Sequence, residues 1–247
     1  KTTLHEYMLF GSSPEKLKKL GSWDREKDYY NFVRNKYNVK IYSFPVYKGL
    51  ISKFYGLIRS ILIPIYFGIK DRYSGEKSCI RTKQFWGCWS AIIHAKLSNN
   101  KLCLRLGYVW SDAILKNYGT NKLFRSLILQ FENFLLSKGD FYIFASNHIY
   151  KRFANVIKNK EYQIIPNGVN RDKFKQIKTK KIYDCIYIGR LIKIKGAAEL
   201  INFIKLNKDL KFLLIGSASE KYFKKLKLLD NVEHLEFVSN DKIPLYL

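Results

Sequence analysis

Short apolar runs that end at a glycine or a polar turn recur along this sequence, each followed by a stretch with helical spacing. That alternation restricts the chain to an α/β fold with parallel sheets. Leu4–Phe10 reads as a first strand closing at Gly11, and Trp23–Tyr37 as a helix with Tyr29, Val33 and Tyr37 at i, i+4, i+8. Val39–Phe44, Ser78–Lys83, Lys101–Leu106, Asp140–Ala145 and Tyr162–Ile165 are further predicted strands. Helices are expected near Trp86–Leu97 and over Lys122–Leu136, where Leu123, Leu127, Ile128, Phe131 and Leu135 share a face, and after Ser146, whose hydroxyl can cap. Residues 50–70 read as helix until Pro64 interrupts them. Within them Leu57–Ile69 is the most apolar run, too short to span a bilayer, and reads as a core or interfacial helix.

The polar, lysine-rich stretch Asn170–Lys181 has no apolar periodicity and marks a boundary. The pattern then restarts: strand Tyr183–Ile188, helix Ala197–Leu206, strand Lys211–Ile215, helix Ser219–Leu229, strand Val232–Val238. Two domains follow from this, residues 1–169 and 170–247.

Charge bears on partners. The 45 basic against 20 acidic side chains give a formal net charge of +25, which favours polyanions: nucleic acid, anionic lipid or phosphorylated substrates. The lysines are spread through the whole chain, with plentiful Asn, Ile, Tyr and Phe, as AT-rich coding would also produce. No helix-turn-helix, zinc-finger or RNP signature accompanies them. Residues 48–72, with Phe54, Tyr55 and Leu57, suit either docking on anionic lipid or core packing. Cys79, Cys88, Cys103 and Cys185 form no CxxC pair and no Cys/His metal spacing, so reduced thiols and no metal are expected. Lys1–Phe10 is too polar for a signal peptide, and a cytoplasmic setting, peripheral at the inner face of the membrane, is the expectation.

The segment that carries chemistry is Tyr183–Gly196, YDCIYIGRLIKIKG. A strand ends in Gly189, Arg190 follows, and Lys195 and Gly196 precede a helix. Glycine lets a ligand approach the backbone, the helix start offers unpaired N–H groups, Arg190 presents a planar fork and Lys195 a point charge. The turn reads either as a phosphate site or as a solvated basic turn. A second strand ends in Gly216.

Upstream stands Ile165-Pro166-Asn167-Gly168-Val169-Asn170 with Phe174 beyond it; downstream stand Phe212–Gly216 and Val232–Val238. Together with the Gly189-Arg190-Leu191 and Lys195-Gly196 pairs, residues 140–247 resemble the retaining GT-B glycosyltransferases of family 4 (glycosyl transferases group 1). The resemblance implies two Rossmann-like domains, the first taking the acceptor and the second a UDP- or GDP-linked sugar. It implies that Arg190 and Lys195 hold the donor diphosphate beside Gly189 and Gly216, that Asn167 and Gly168 form the hinge, and that the acceptor is a glycan or lipid-linked sugar of cell-surface polysaccharide or glycolipid biosynthesis. On the acceptor side, Gly21 and Arg25 fall where the glycine loop and first helix of that fold face the cleft. Arg81, Gln84, Arg105 and Tyr108 fall at strand ends, where they either line the cleft or form surface turns.

Two departures stand out. The family places two glutamates eight residues apart in the second domain, and no two glutamates here have that spacing. The resemblance therefore implies an incomplete second domain, a truncated chain and a fragment expected to be inactive or poorly soluble alone. Many members also carry a first-domain histidine near the sugar. None of His5, His94, His148 and His234 lies in the matching loop at 105–110, where Arg105 or Tyr108 would take its place. The rival readings are a basic nucleic-acid-binding protein and another user of the fold, such as a sugar-nucleotide epimerase.

Overall fold

The computed structural model describes residues 1–8, 23–45, 49–112, 114, 122–169, 171–175 and 180–247, with the side chains of 23–28 and 122 left aside. Gly11, Gly21, the Arg25 side chain, Asn170 and residues 176–179 of the predicted boundary lie outside the described residues. The chain divides into two compact units, Lys1–Gly168 and Val169–Leu247.

The first unit holds strands β1 (Thr3–Tyr7), β2 (Asn38–Tyr42), β3 (Ser78–Thr82), β4 (Lys101–Leu106), β5 (Phe141–Phe144) and β6 (Glu161–Ile164). Its helices are α1 (Trp23–Lys36), α2 (Leu50–Ser74), α3 (Trp89–Ser98), α4 (Lys122–Leu136) and α5 (Asn147–Phe153). The strands form one all-parallel sheet in the order β2-β1-β3-β4-β5-β6. The order reverses between β1 and β3, so the carboxyl ends of these two strands flank the crevice where such sheets bind ligands.

Period-2 alternation decides what each face of β1 meets. His5 and Tyr7 point to α2 and α3, while Glu6 points to the tyrosines of α1. All five residues of β1 are buried although three are polar, because Thr3, His5 and Glu6 each make a side-chain hydrogen bond. At α5, Ser146 accepts from the Ile149 N–H at 3.4 Å, the cap its position predicts.

Helix α2 departs from expectation. It runs unbroken through Pro64, and at 25 residues it is long and apolar enough, by length and composition, to cross a membrane. Proline removes the N–H that would bond the carbonyl four residues back. That carbonyl, on Ser60, instead accepts from the Ser90 hydroxyl of α3 at 2.6 Å. A neighbouring helix thus satisfies the group that proline frees, and the helix continues.

The second unit is a parallel three-stranded sheet, β7 (Cys185–Ile188), β8 (Phe212–Ile215) and β9 (Val232–Leu235), in sequential order. Helices α6 (Ala197–Leu206) and α7 (Glu220–Leu226) pack on one face through Ile201, Ile204, Phe212, Leu214 and Tyr222. Leu213 and Ile215 point to the other face, against Ile243 and Phe174.

Candidate phosphate-binding edge and its counterpart

At the carboxyl edge of the second sheet, the turns after β7 and β8 are zipped together. Gly189 N donates to Ile215 O at 2.8 Å, Leu191 N to Ser217 O at 2.9 Å, and Ser219 N to Leu191 O at 3.2 Å. The fully buried Leu191 side chain anchors the arrangement. Gly216 has φ +142°, and a Cβ there would stand 2.1 Å from the Gly189 carbonyl oxygen. The close approach that Gly216 permits is therefore first of all one backbone on another. Its own carbonyl accepts from His234 Nε2 at 2.8 Å.

Arg190 leaves this braced turn exposed. Residues 193–195 form one 3₁₀ turn ending at Gly196, which takes φ +73° and begins α6. Lys193 and Lys195 are exposed on that turn. Among the described residues, neither the Arg190 guanidinium nor the Lys195 ammonium makes a hydrogen bond or ion pair. The sequence reading missed Ser217 and Ser219, exposed on the adjoining turn. Only their hydrogen bonding to Leu191 puts them beside Arg190, and nothing in a Gly-Ser-Ala-Ser string announces that.

The edge of the first sheet is built differently. Glu6 and Arg81 are register partners across β1 and β3, on the same face. Glu6, fully buried, accepts from Tyr29 at 2.8 Å and from Tyr30 at 2.9 Å. Arg81 donates to the Tyr29 hydroxyl and stands 3.7 Å from Glu6, and Lys83 stands 3.6 Å from it. The Lys83 ammonium also lies 4.6 Å from the Tyr30 ring centroid. Burial works against the Arg81 charge, but Glu6 and Tyr29 more than offset it and its pKa moves up. Burial, with Glu6 adding to it, raises the Tyr29 hydroxyl.

The remaining acceptor-side candidates are also engaged. Arg105 donates to the Lys83 carbonyl at 3.1 Å and to Asn167 Oδ1 at 2.7 Å. Gln84 Oε1 accepts from Gly107 N at 3.2 Å. Tyr108 packs against the core cluster of the first unit, and burial raises its pKa. The structure thus brings Arg81, Gln84, Arg105 and Asn167 to one edge through β3, β4 and the segment after β6. Gly168 has open space around a Cβ.

One group of side chains among the described residues has the composition of a metal site. His5, Asp71 and His94 put their ligand-type atoms within 4.8 Å of one another, all buried. His94 Nε2 lies 2.9 Å from Asp71 Oδ2, and His5 Nε2 stands 3.1 Å from the same oxygen outside hydrogen-bond geometry. The second ring nitrogens meet Tyr7 at 2.8 Å and Tyr42 at 2.9 Å. Burial holds both imidazoles neutral, lowering His94 and taking His5 to about 4. We assign this to the core, as a hydrogen-bonded link between β1, β2, α2 and α3.

No protein-family model matches this sequence, and no curated protein matches it. Solved structures do. Sucrose-phosphate synthase from Thermosynechococcus elongatus superposes with a TM-score of 0.69 at 12% identity, over 99% of this chain and 73% of that one. HepE from Anabaena, in complex with UDP and glucose, gives 0.61 at 14% identity, over 98% and 71%. A putative UDP-N-acetylglucosamine 2-epimerase from Listeria monocytogenes gives 0.58 at 6% identity, over 100% and 72%. At such identities the likeness is one of fold. The fold is GT-B, with two Rossmann-like parallel-sheet units, as the sequence reading expected, and it serves transferases and an epimerase alike.

Proposed function

We propose that this chain belongs to a nucleotide-sugar-dependent glycosyltransferase whose second unit takes the donor. The observation that carries the reading is the pair of cations, Arg190 and Lys195, on braced turns at the carboxyl edge of β7, with no protein partner among the described residues. A cation held without a counter-ion at that edge suits an anionic ligand. A diphosphate gains charge as its bond to the sugar breaks, so a fixed guanidinium and ammonium stabilise the departing group more than the bound donor. At roughly 1.5–3 kcal/mol for a hydrogen bond to a charged group, each side chain supplies about ten- to hundredfold. Two such cations can carry this charge without a metal ion. The UDP and glucose bound to HepE, which shares the fold, support the same donor class.

The finer points rest on the motif resemblance: membership of family 4, retention of anomeric configuration, a glycan or lipid-linked acceptor, and Asn167-Gly168 as the hinge. Arg105, tied to Asn167, is the acceptor-side residue we place nearest that hinge.

Titration calorimetry with UDP and GDP tests the donor site. Arg190→Ala and Lys195→Ala should each weaken binding at least tenfold while the melting temperature holds. Equal affinity in both variants overturns the reading. Incubation with UDP-sugars lacking any acceptor separates the epimerase alternative, since only an epimerase converts the donor sugar under those conditions.

A further inference from the structure

Helix α2 is amphipathic the wrong way round for a helix that covers a sheet. Its buried stripe is Gly56, Ser60, Pro64, Gly68 and Asp71, small or polar residues at helical spacing. Small residues bring α2 close to α3: a Cβ on Gly68 would stand 2.7 Å from the Leu97 Cβ and 3.1 Å from the His94 carbonyl oxygen. Hydrogen bonds hold it there, from Ser90 and Trp89 to Ser60 and between His94 and Asp71. Half a turn away, Tyr55, Ile58, Leu62, Tyr66, Ile69 and Tyr73 recur at spacings of three and four and face solvent. Leu62 is 58% exposed, Tyr66 61% and Tyr73 87%. A solvated helix of a soluble layer carries the opposite pattern.

Behind this ridge, a row of buried and partly buried aromatic rings packed on the core leads from Ser60 of α2 toward α4. Trp89, bonded to Ser60, meets Trp86 edge-on at 5.0 Å; Trp86 stacks on Trp110 at 4.5 Å; and Trp110 meets Phe131 of α4 at 6.2 Å. Leu123, Leu127 and Phe134 of α4 are exposed in their turn. The charge on α2 has one sign. Lys53, Arg59, Lys70 and Arg72 all reach solvent to some degree, and its single acid, Asp71, is buried against His94.

We propose that α2 is a docking surface for a bilayer rich in anionic phospholipid, and that it lies in the plane of the headgroups. At 1.5 Å per residue, the ridge from Tyr55 to Tyr73 is roughly 27 Å long, a shape suited to a plane. The exposed tyrosines along it, Tyr55, Tyr66 and Tyr73, match the headgroup level, where one end of the ring is wet. Arg59, Lys70 and Arg72, with no exposed acid on the helix, complement lipid phosphate. Although α2 is long and apolar enough to span, its polar stripe is already bonded to α3, so the helix lies on the membrane as part of the folded unit.

The test is co-sedimentation of the 247-residue chain with vesicles of phosphatidylcholine alone and of phosphatidylcholine with 30% phosphatidylglycerol. Binding should be at least tenfold tighter to the anionic vesicles and should fall by about fivefold for the loss of either Lys70 or Arg72. Leu62→Glu combined with Tyr66→Glu, both at exposed positions, should abolish sedimentation while circular dichroism and the melting temperature stay as in the parent. Three results overturn the proposal: no sedimentation with anionic vesicles, unchanged sedimentation of the double variant, or a dimer that the double variant dissociates and that ignores vesicles. Nucleotide binding reads out Arg190 in the other unit, so failure here leaves the donor reading standing.

Discussion

Two sheet edges in this protein carry arginine and lysine at the carboxyl ends of parallel strands, and they put them to different use. At the edge of β1 and β3, Arg81 and Lys83 converge on the buried Glu6, with Tyr29 and Tyr30 closing the cluster. At the edge of β7, Arg190 and Lys195 stand on turns braced by backbone hydrogen bonds and reach solvent. A cation tied to a buried carboxylate contributes to folding. A cation on a rigid turn, without a protein partner among the described residues, keeps its hydrated charge, and the donor site we propose rests on that. Charge content alone does not separate the two; the difference lies in whether an acid is in register with the base.

Removing that acid should have the largest effect. Glu6→Ala removes the buried carboxylate on which Arg81 and Lys83 converge, and should lower stability by roughly 3–5 kcal/mol in urea unfolding. A loss under 1 kcal/mol would erase the contrast between the edges. Gly216→Ala comes next: a left-handed φ and a Cβ at 2.1 Å from the Gly189 oxygen should together cost about 3 kcal/mol or more. If the proposed donor site is right, it should also disable nucleotide binding by displacing the turn that holds Arg190.

Acid should then sharpen the comparison, because the first unit carries the buried imidazoles. His5 titrates near 4 in the folded chain, below the 6.5 of an exposed histidine, so the unfolded state binds more protons between those values. Stability is full above pH 6.5 and falls as pH drops, by about 3 kcal/mol at pH 4. Melting curves from pH 7 to 4 check this, and His5→Gln should reduce the fall in that window, leaving the share that the buried His94 contributes. The smallest effect belongs to the second edge: Arg190→Ala and Lys195→Ala should leave stability within about 0.5 kcal/mol, as exposed positions do. A loss of several kcal/mol would place these cations in the same structural role as Arg81.

Much of the fold was legible because glycine and polar turns punctuate apolar runs of strand length, and helices such as Ala197–Leu206 carry an unbroken apolar stripe. The Gly189-Arg190 turn was legible for the same reason, since a strand that ends in glycine before a helix fixes where the next residues emerge. The role of Glu6 was not, because a lone glutamate in a strand pattern gives no hint that two tyrosines 23 and 24 residues on will bond it. His5, Asp71 and His94 were invisible as a group, since β1, α2 and α3 meet only after the sheet forms.

The chain's own sequence determined the order of its elements, the parallel α/β class and the position of the two cations after β7, because each follows from local periodicity and local turn chemistry. Tertiary structure alone decided which face of α2 turns inward, that Pro64 leaves the helix intact, and that Gly216 must be glycine. The physical reason is common to all three. Periodicity says which residues share a face, but only a neighbour such as α3, with Ser90 ready to take the Ser60 carbonyl, or Gly189, pressed against the next turn, settles what that face or position must accommodate.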